Sequence, residues 1–172
     1  MRGAGHIQAG SWSLTSRVVL VESDRSPLEF SLTHRLLDNL QLGLEYDAEE
    51  DSFFPLVNWR VLDAAGKQPA LALGISSAWP SSQVDGSALF VTAAQNIAPG
   101  LSLSASLSYG LEDQRFRTPG SLRYALTSNL STTLFYDGNN LHPLASYSHG
   151  DLSYSLILLG ASDPALSVSW GF

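Results

Sequence analysis

The chain has 172 residues, nine Lys and Arg against sixteen Asp and Glu for a net charge of −7, and no cysteine. That length suits one domain with a real core or a closed barrel. The acidic balance argues against a nucleic-acid partner, and the missing cysteines exclude a disulfide scaffold, a thiolate metal site and a cysteine nucleophile. Charged residues make up only 15% of the chain, with Lys67 the sole lysine, against about 25% in ordinary soluble domains.

Taken in chain order, the segments between clusters of Gly, Pro, Asn and Asp alternate apolar and polar residues, the period-two mark of a two-faced strand. Strands are expected near 11–22, 28–35, 40–47, 53–62, 69–77, 87–95, 101–110, 121–127, 130–137, 142–148, 151–159 and 165–172. In the second, Leu28, Phe30 and Leu32 oppose Glu29, Ser31 and Thr33; in the third, Leu40, Leu42, Leu44 and Tyr46 oppose Gln41, Gly43, Glu45 and Asp47. The seventh is the cleanest, with Leu101, Leu103, Ala105, Leu107 and Tyr109 on one face and Ser102, Ser104, Ser106 and Ser108 on the other. Compact connections at 36–39, 63–68, 96–100, 128–129 and 149–150 fall on one edge. The acidic 48–51 and the two longest links, 78–86 (AWPSSQVDG) and 111–120 (LEDQRFRTPG), fall on the other. Short turns at one end and long polar loops at the other predict an all-β, up-and-down antiparallel barrel of about twelve strands, a single domain over 1–172.

Alternation does not by itself say which face meets solvent. A soluble barrel or sandwich turns its leucines inward, whereas a transmembrane β-barrel turns them to lipid and lines its lumen with the polar face. The polar face here is mostly Ser, Gly, Ala and Gln, which suits a crowded, wet lumen. Aromatic residues also gather near strand ends: Tyr46, Phe53, Tyr109 and Tyr136 at one level, Trp12 and Trp170 at the other, with Tyr154 early in its strand. Two such levels are the girdles expected at membrane interfaces. The non-leucine face would then place Arg17, Glu29, Arg35, Glu45, Asp47, Asn58, Arg60, Arg123 and Asp137 in the lumen. There, mixed charges either line a selective water path or pair up and plug it.

The chain closes on Leu-Ser-Val-Ser-Trp-Gly-Phe. An alternating last strand with Leu166, Val168 and Trp170 leading to Phe172 resembles the sorting signature of bacterial outer-membrane β-barrels. The segments Phe53-Phe-Pro-Leu-Val-Asn-Trp-Arg60, Gln68-Pro-Ala-Leu-Ala-Leu-Gly74 and Tyr136-Asp-Gly138 are similar to stretches of outer-membrane barrels of uncharacterised function. The resemblance implies an outer-membrane location, membrane lipid as the surroundings and the barrel-assembly machinery as a partner during biogenesis. It also implies a passive role, either a narrow porin-like pore for small solutes and ions or a structural membrane component. The first ten residues lack the apolar stretch of a secretory leader, so the chain reads as a form without one.

Catalysis is not expected. Of His6, His34, His142 and His149, none sits beside a Gly-x-Ser-x-Gly elbow or at a two-histidine metal spacing. Glu49, Glu50 and Asp51 near Asp47 offer carboxylates for a divalent cation but lack the spacing of a calcium loop, and read as a solvated loop. No cofactor is implied. A soluble barrel or sandwich holding an apolar ligand and an outer-membrane lipid hydrolase stand as alternatives.

Overall fold

The computed structural model describes residues 10–23, 25–77, 79–80 and 86–172; His6 lies outside them, as do Ala78 and 81–85 of the 78–86 link. The strands are β1 (Trp12–Val19), β2 (Leu28–Leu37), β3 (Leu40–Asp47), β4 (Ser52–Leu62), β5 (Ala70–Ser77), β6 (Ser87–Ala98), β7 (Leu101–Gly110), β8 (Phe116–Arg117), β9 (Gly120–Ala125), β10 (Leu130–Tyr136), β11 (Leu141–His149), β12 (Leu152–Leu159) and β13 (Asp163–Gly171). Each pairs antiparallel with its neighbours in the chain. β8 and β9 both lie against β7, β8 opposite Ser108 and Tyr109 and β9 opposite 101–105, so they form one stave broken at Thr118 and Pro119. Pro119 has no N–H to donate, but its carbonyl still accepts from Ser106 N at 2.8 Å. The result is a closed, up-and-down barrel of twelve staves.

The seam joins β1 to β13, with Ser13 opposite Gly171 and Val19 opposite Ala165. Trp12 and Phe172 exchange backbone hydrogen bonds at 2.7 and 2.9 Å and complete the ring. No strand edge is left at the seam. The expected strands match the observed ones closely. The differences are that β1 ends at Val19 and that β8 lies inside what read as loop 111–120.

With the end carrying Trp12 and Phe172 as the lower rim, the compact turns all lie below and the long links above. Three bulges, at 35/37, 60/62 and 96/98, sit along the lower rim. Each extra residue re-aims the side chains beyond it, a usual device at barrel rims. Below them Leu36, Leu37, Val61, Leu62 and Ile97 are all exposed.

Side-chain orientation is inverted relative to a water-soluble barrel. Leu14, Leu32, Leu44, Leu73, Val91, Leu103, Leu107, Leu122, Leu134, Leu156 and Leu166 all stand exposed on the outside. The buried or half-buried positions between them are mainly Ser, Thr, Gly, Ala, Arg and Glu, with Phe90 and Phe135 among them. A small apolar cluster lies inside near the upper end, where Val19, Ile157, Leu159 and Ala165 pack with Leu144 and Trp79.

Candidate functional site

The inner wall is built from small hydroxyl residues that satisfy one another across adjacent strands. Thr15 and Ser169, Thr92 and Ser106, Ser104 and Ser121, Ser146 and Ser155, and Ser148 and Ser153 each hydrogen-bond at 2.7–3.0 Å. These pairs sit directly opposite in register, so each strand's serines are placed by the same alternation that places its leucines outside.

At the upper end of this wall lies an ion cluster. Arg17 on β1 donates from Nη1 to Glu29 Oε2 on β2 at 2.7 Å and from Nη2 to Glu45 Oε2 on β3 at 2.6 Å. Glu45 is only 2% exposed. The indole of Trp79 lies over the same guanidinium, 4.3 Å from centroid to Cζ. Trp79 belongs to the link between β5 and β6, and its side chain turns into the barrel rather than away from it. Arg25 holds its neighbour, donating from Nε to Pro80 O at 3.2 Å and from Nη1 to Asp163 Oδ2 at 2.7 Å. Where the link rejoins β6, Ser87 N donates to Glu112 Oε2 at 2.9 Å.

Two other expected lumen acids serve as turn caps. Asp47 Oδ1 accepts from the backbone N–H of Glu49 and Glu50 at 2.9 and 3.1 Å. Asp137 Oδ1 accepts from Asn139 and Asn140 at 2.7 Å each, and its Oδ2 lies 3.1 Å from His142 Nε2. Burial pushes the Asp137 carboxyl up, but His142 and the N–H groups of Asn140 and Asn139 outweigh it and hold the pKa at about 2. His142 is fully buried, and its Nδ1 accepts from Gly160 N at 3.1 Å. The ring thus sits between the β10–β11 turn, where its Nε2 lies beside Asp137, and the β12–β13 turn, to which its Nδ1 is bonded.

The arginines separate by height. Arg35 and Arg60 both donate to Asp38 O near the lower rim, at 3.1 and 3.3 Å, and Arg123 donates to Ser131 Oγ at 3.1 Å. Arg60 lies opposite the inward-facing Ala72, just before the β4 bulge, at the lower rim, where it is exposed and pairs with Asp63 at 2.7 Å. Of the mixed charge expected along the lumen, Glu29, Glu45, Asp47 and Asp137 lie above together with Arg17, which pairs with the first two, and Arg35, Arg60 and Arg123 lie below. Asn58, from the same expected set, lines the lumen at mid-height.

The chain matches no protein-family model, and no curated protein is detectably related to it.

The seven aromatic residues expected at strand ends all lie on the outer face. Tyr46 and Phe53, with ring centroids 4.9 Å apart, and Tyr109 with Tyr136 mark the upper level. Trp12, Tyr154 and Trp170 mark the lower one. Phe30 and Phe116 join the upper ring, and Trp59, Tyr124 and Tyr147 join the lower one; strand-end position gave the same signal for all of these but Phe116, which fell in the expected 111–120 loop. Phe116 stacks against Tyr109 at 4.9 Å. Leu166, Val168, Trp170 and Phe172 all face outward, and the last two rings are 4.6 Å apart. His34 lies outside as well, stacked on Trp12 at 4.4 Å. His149 is exposed at the lower turn.

Trp79, Arg25 and Arg117 were not legible as interior groups. Trp79 is the only one of the four tryptophans outside an alternating segment, which is the signal that set it apart. Beside Trp79, on the β4–β7 and β10 side, the interior keeps an open cavity of about 350 Å³.

Proposed function

We propose that the chain is an integral β-barrel of a bacterial outer membrane that acts as a narrow, passive path for small solutes and ions. The observation that carries this reading is the inverted wall: a continuous apolar exterior between two aromatic rings around a hydroxyl-lined, charged interior. In water such an exterior would be an exposed apolar patch far beyond what a monomeric soluble protein tolerates; in lipid it is the expected outer surface. A soluble barrel holding an apolar ligand would need Leu32, Leu44 and Leu107 inside, and they stand outside. The lipid-hydrolase reading gains no support from His142, whose Nδ1 is taken by Gly160 N.

Twelve staves enclose a lumen between that of filled eight-stranded barrels and open porins. Trp79 and the Arg17 cluster occupy part of it, so the path is narrow and follows the cavity side. That same filling favours a second reading, a structural membrane component with a closed lumen. The terminal strand would serve recognition by the assembly machinery, with Phe172 as its last contact.

The test is reconstitution into liposomes and planar bilayers. Carbonate-resistant insertion, heat-modifiable gel migration and small discrete current steps are expected. Insertion without current would leave the structural role. A protein that stays monomeric in buffer without detergent would overturn the membrane reading.

A further inference from the structure

The interior cavity has the size and wall of a binding chamber. At about 350 Å³ it falls within the range of small-molecule sites, which are mainly apolar with a few placed polar groups. Three rings from separate elements frame it: Trp79 from the β5–β6 link, Phe90 from β6 and Phe135 from β10. Phe90 lies across its register partner Gly74, where a Cβ would come within 2.5 Å of the ring and 1.9 Å of Val57 O, so the wall there is flat by construction.

The ionised groups on the wall are already engaged within the protein. Arg117 is paired by Asp113, and Asp137 Oδ1 accepts from two backbone N–H groups while its Oδ2 lies 3.1 Å from His142 Nε2. The hydroxyls of Thr92 and Ser106 bond each other at 2.7 Å, as do those of Ser104 and Ser121. A charged guest would lose its water and find each ionised group already in contact with the protein. A neutral guest with a flat apolar body would cover the rings and need only one or two hydrogen bonds, for which Ser76, Ser108 and Asn58 line the same space.

We infer that this cavity binds a small neutral aromatic solute bearing one or two hydroxyl or amide groups. The inference stands apart from conduction, because binding is read at equilibrium with no potential applied.

The probe is 2-naphthol, uncharged at neutral pH, titrated calorimetrically into the folded chain in detergent micelles against a micelle blank. Naphthalene-2-sulfonate and 2-naphthylmethylammonium serve as the charged counterparts. Saturable one-site binding is expected, with each charged analogue at least tenfold weaker. Ala72→Phe and Ala88→Phe, which fill the cavity, should each weaken 2-naphthol at least tenfold while keeping heat-modifiable migration. Heats equal to the blank, equal affinity for a charged analogue, or unchanged binding in both filled variants would overturn the inference. If neither variant folds, a chain carrying Trp12→Phe, Trp59→Phe and Trp170→Phe decides: Trp79 emission should be quenched saturably by 2-naphthol, and unsaturable quenching would overturn the proposal.

Discussion

One guanidinium, that of Arg17, serves two carboxylates from the two next strands while an indole covers its face. Removing it would leave Glu29 and Glu45 as close, largely buried like charges, and breaking such a group from one side typically costs about 3–5 kcal/mol. Arg17→Met should therefore lower unfolding free energy in urea by that order. Adding Glu29→Gln and Glu45→Gln to it should recover most of the loss, since no unpaired charge then remains. Asp137 gives a pH-dependent counterpart. Its carboxyl is held at about 2, below its ordinary 3.8, so the stabilisation is complete above pH 4 and is lost as pH falls toward 2. Asp137→Asn should cost about 2 kcal/mol at pH 7, and the gap from the unmutated chain should close in denaturant titrations near pH 2. In the 111–120 link, the Arg117 guanidinium beside Asp113 likewise keeps that carboxyl below its usual range.

At the scale of the strand, alternation decides two things at once, where the chain pairs and which side it shows. Leu103 and Ser104 are adjacent on β7, and Leu103 is exposed while Ser104 bonds Ser121 inside. On the membrane reading, Leu103→Arg should cost about 2–4 kcal/mol near the bilayer midplane, whereas Ser104→Arg should be far milder and should narrow the cavity. Unfolding in lipid vesicles measures both, and equal penalties would contradict the assignment of faces. Because period two is a local property, all twelve staves could be read from alternating positions such as the leucines and serines of 101–109. Within the eighth stave β8 could not, since two residues between Gln114, Arg115 and Pro119 show no period. The bulges were equally silent, because an extra residue at 36, 61 or 97 leaves the sequence apolar there. The inner cluster was visible only as residue types: sequence placed Arg17, Glu29 and Glu45 on one face, but their meeting depends on the stagger of three strands. Trp79 depends on a loop folding inward, which no local pattern encodes.

For the whole barrel, Arg35 and Arg123 sit low in the interior, whereas Glu29, Glu45, Asp47 and Asp137 sit high together with Arg17, which pairs with two of them. Arg35 and Arg123 donate to Asp38 O and Ser131 Oγ rather than to carboxylates, so their charge is the less neutralised. Replacing both with serine should shift any conductance toward cations, and Trp79→Ala should raise it severalfold by clearing the upper lumen. Planar-bilayer recordings of the three proteins check this; unchanged selectivity in the double variant would remove these arginines from the path. Deleting Phe172 should slow assembly, seen as delayed heat-modifiable migration after export, because it removes the backbone pair to Trp12 along with the outer ring. The seam also has a temporal meaning. Thr15 and Ser169 bond across it although 154 residues separate them in sequence. No closed ring can exist before β13 has been synthesised, and until then β1 carries an open edge. Each intermediate therefore presents an unpaired strand and an apolar face to whatever surrounds it. Ring closure must therefore wait for β13, and on the membrane reading an escort that shields those two surfaces until then is expected.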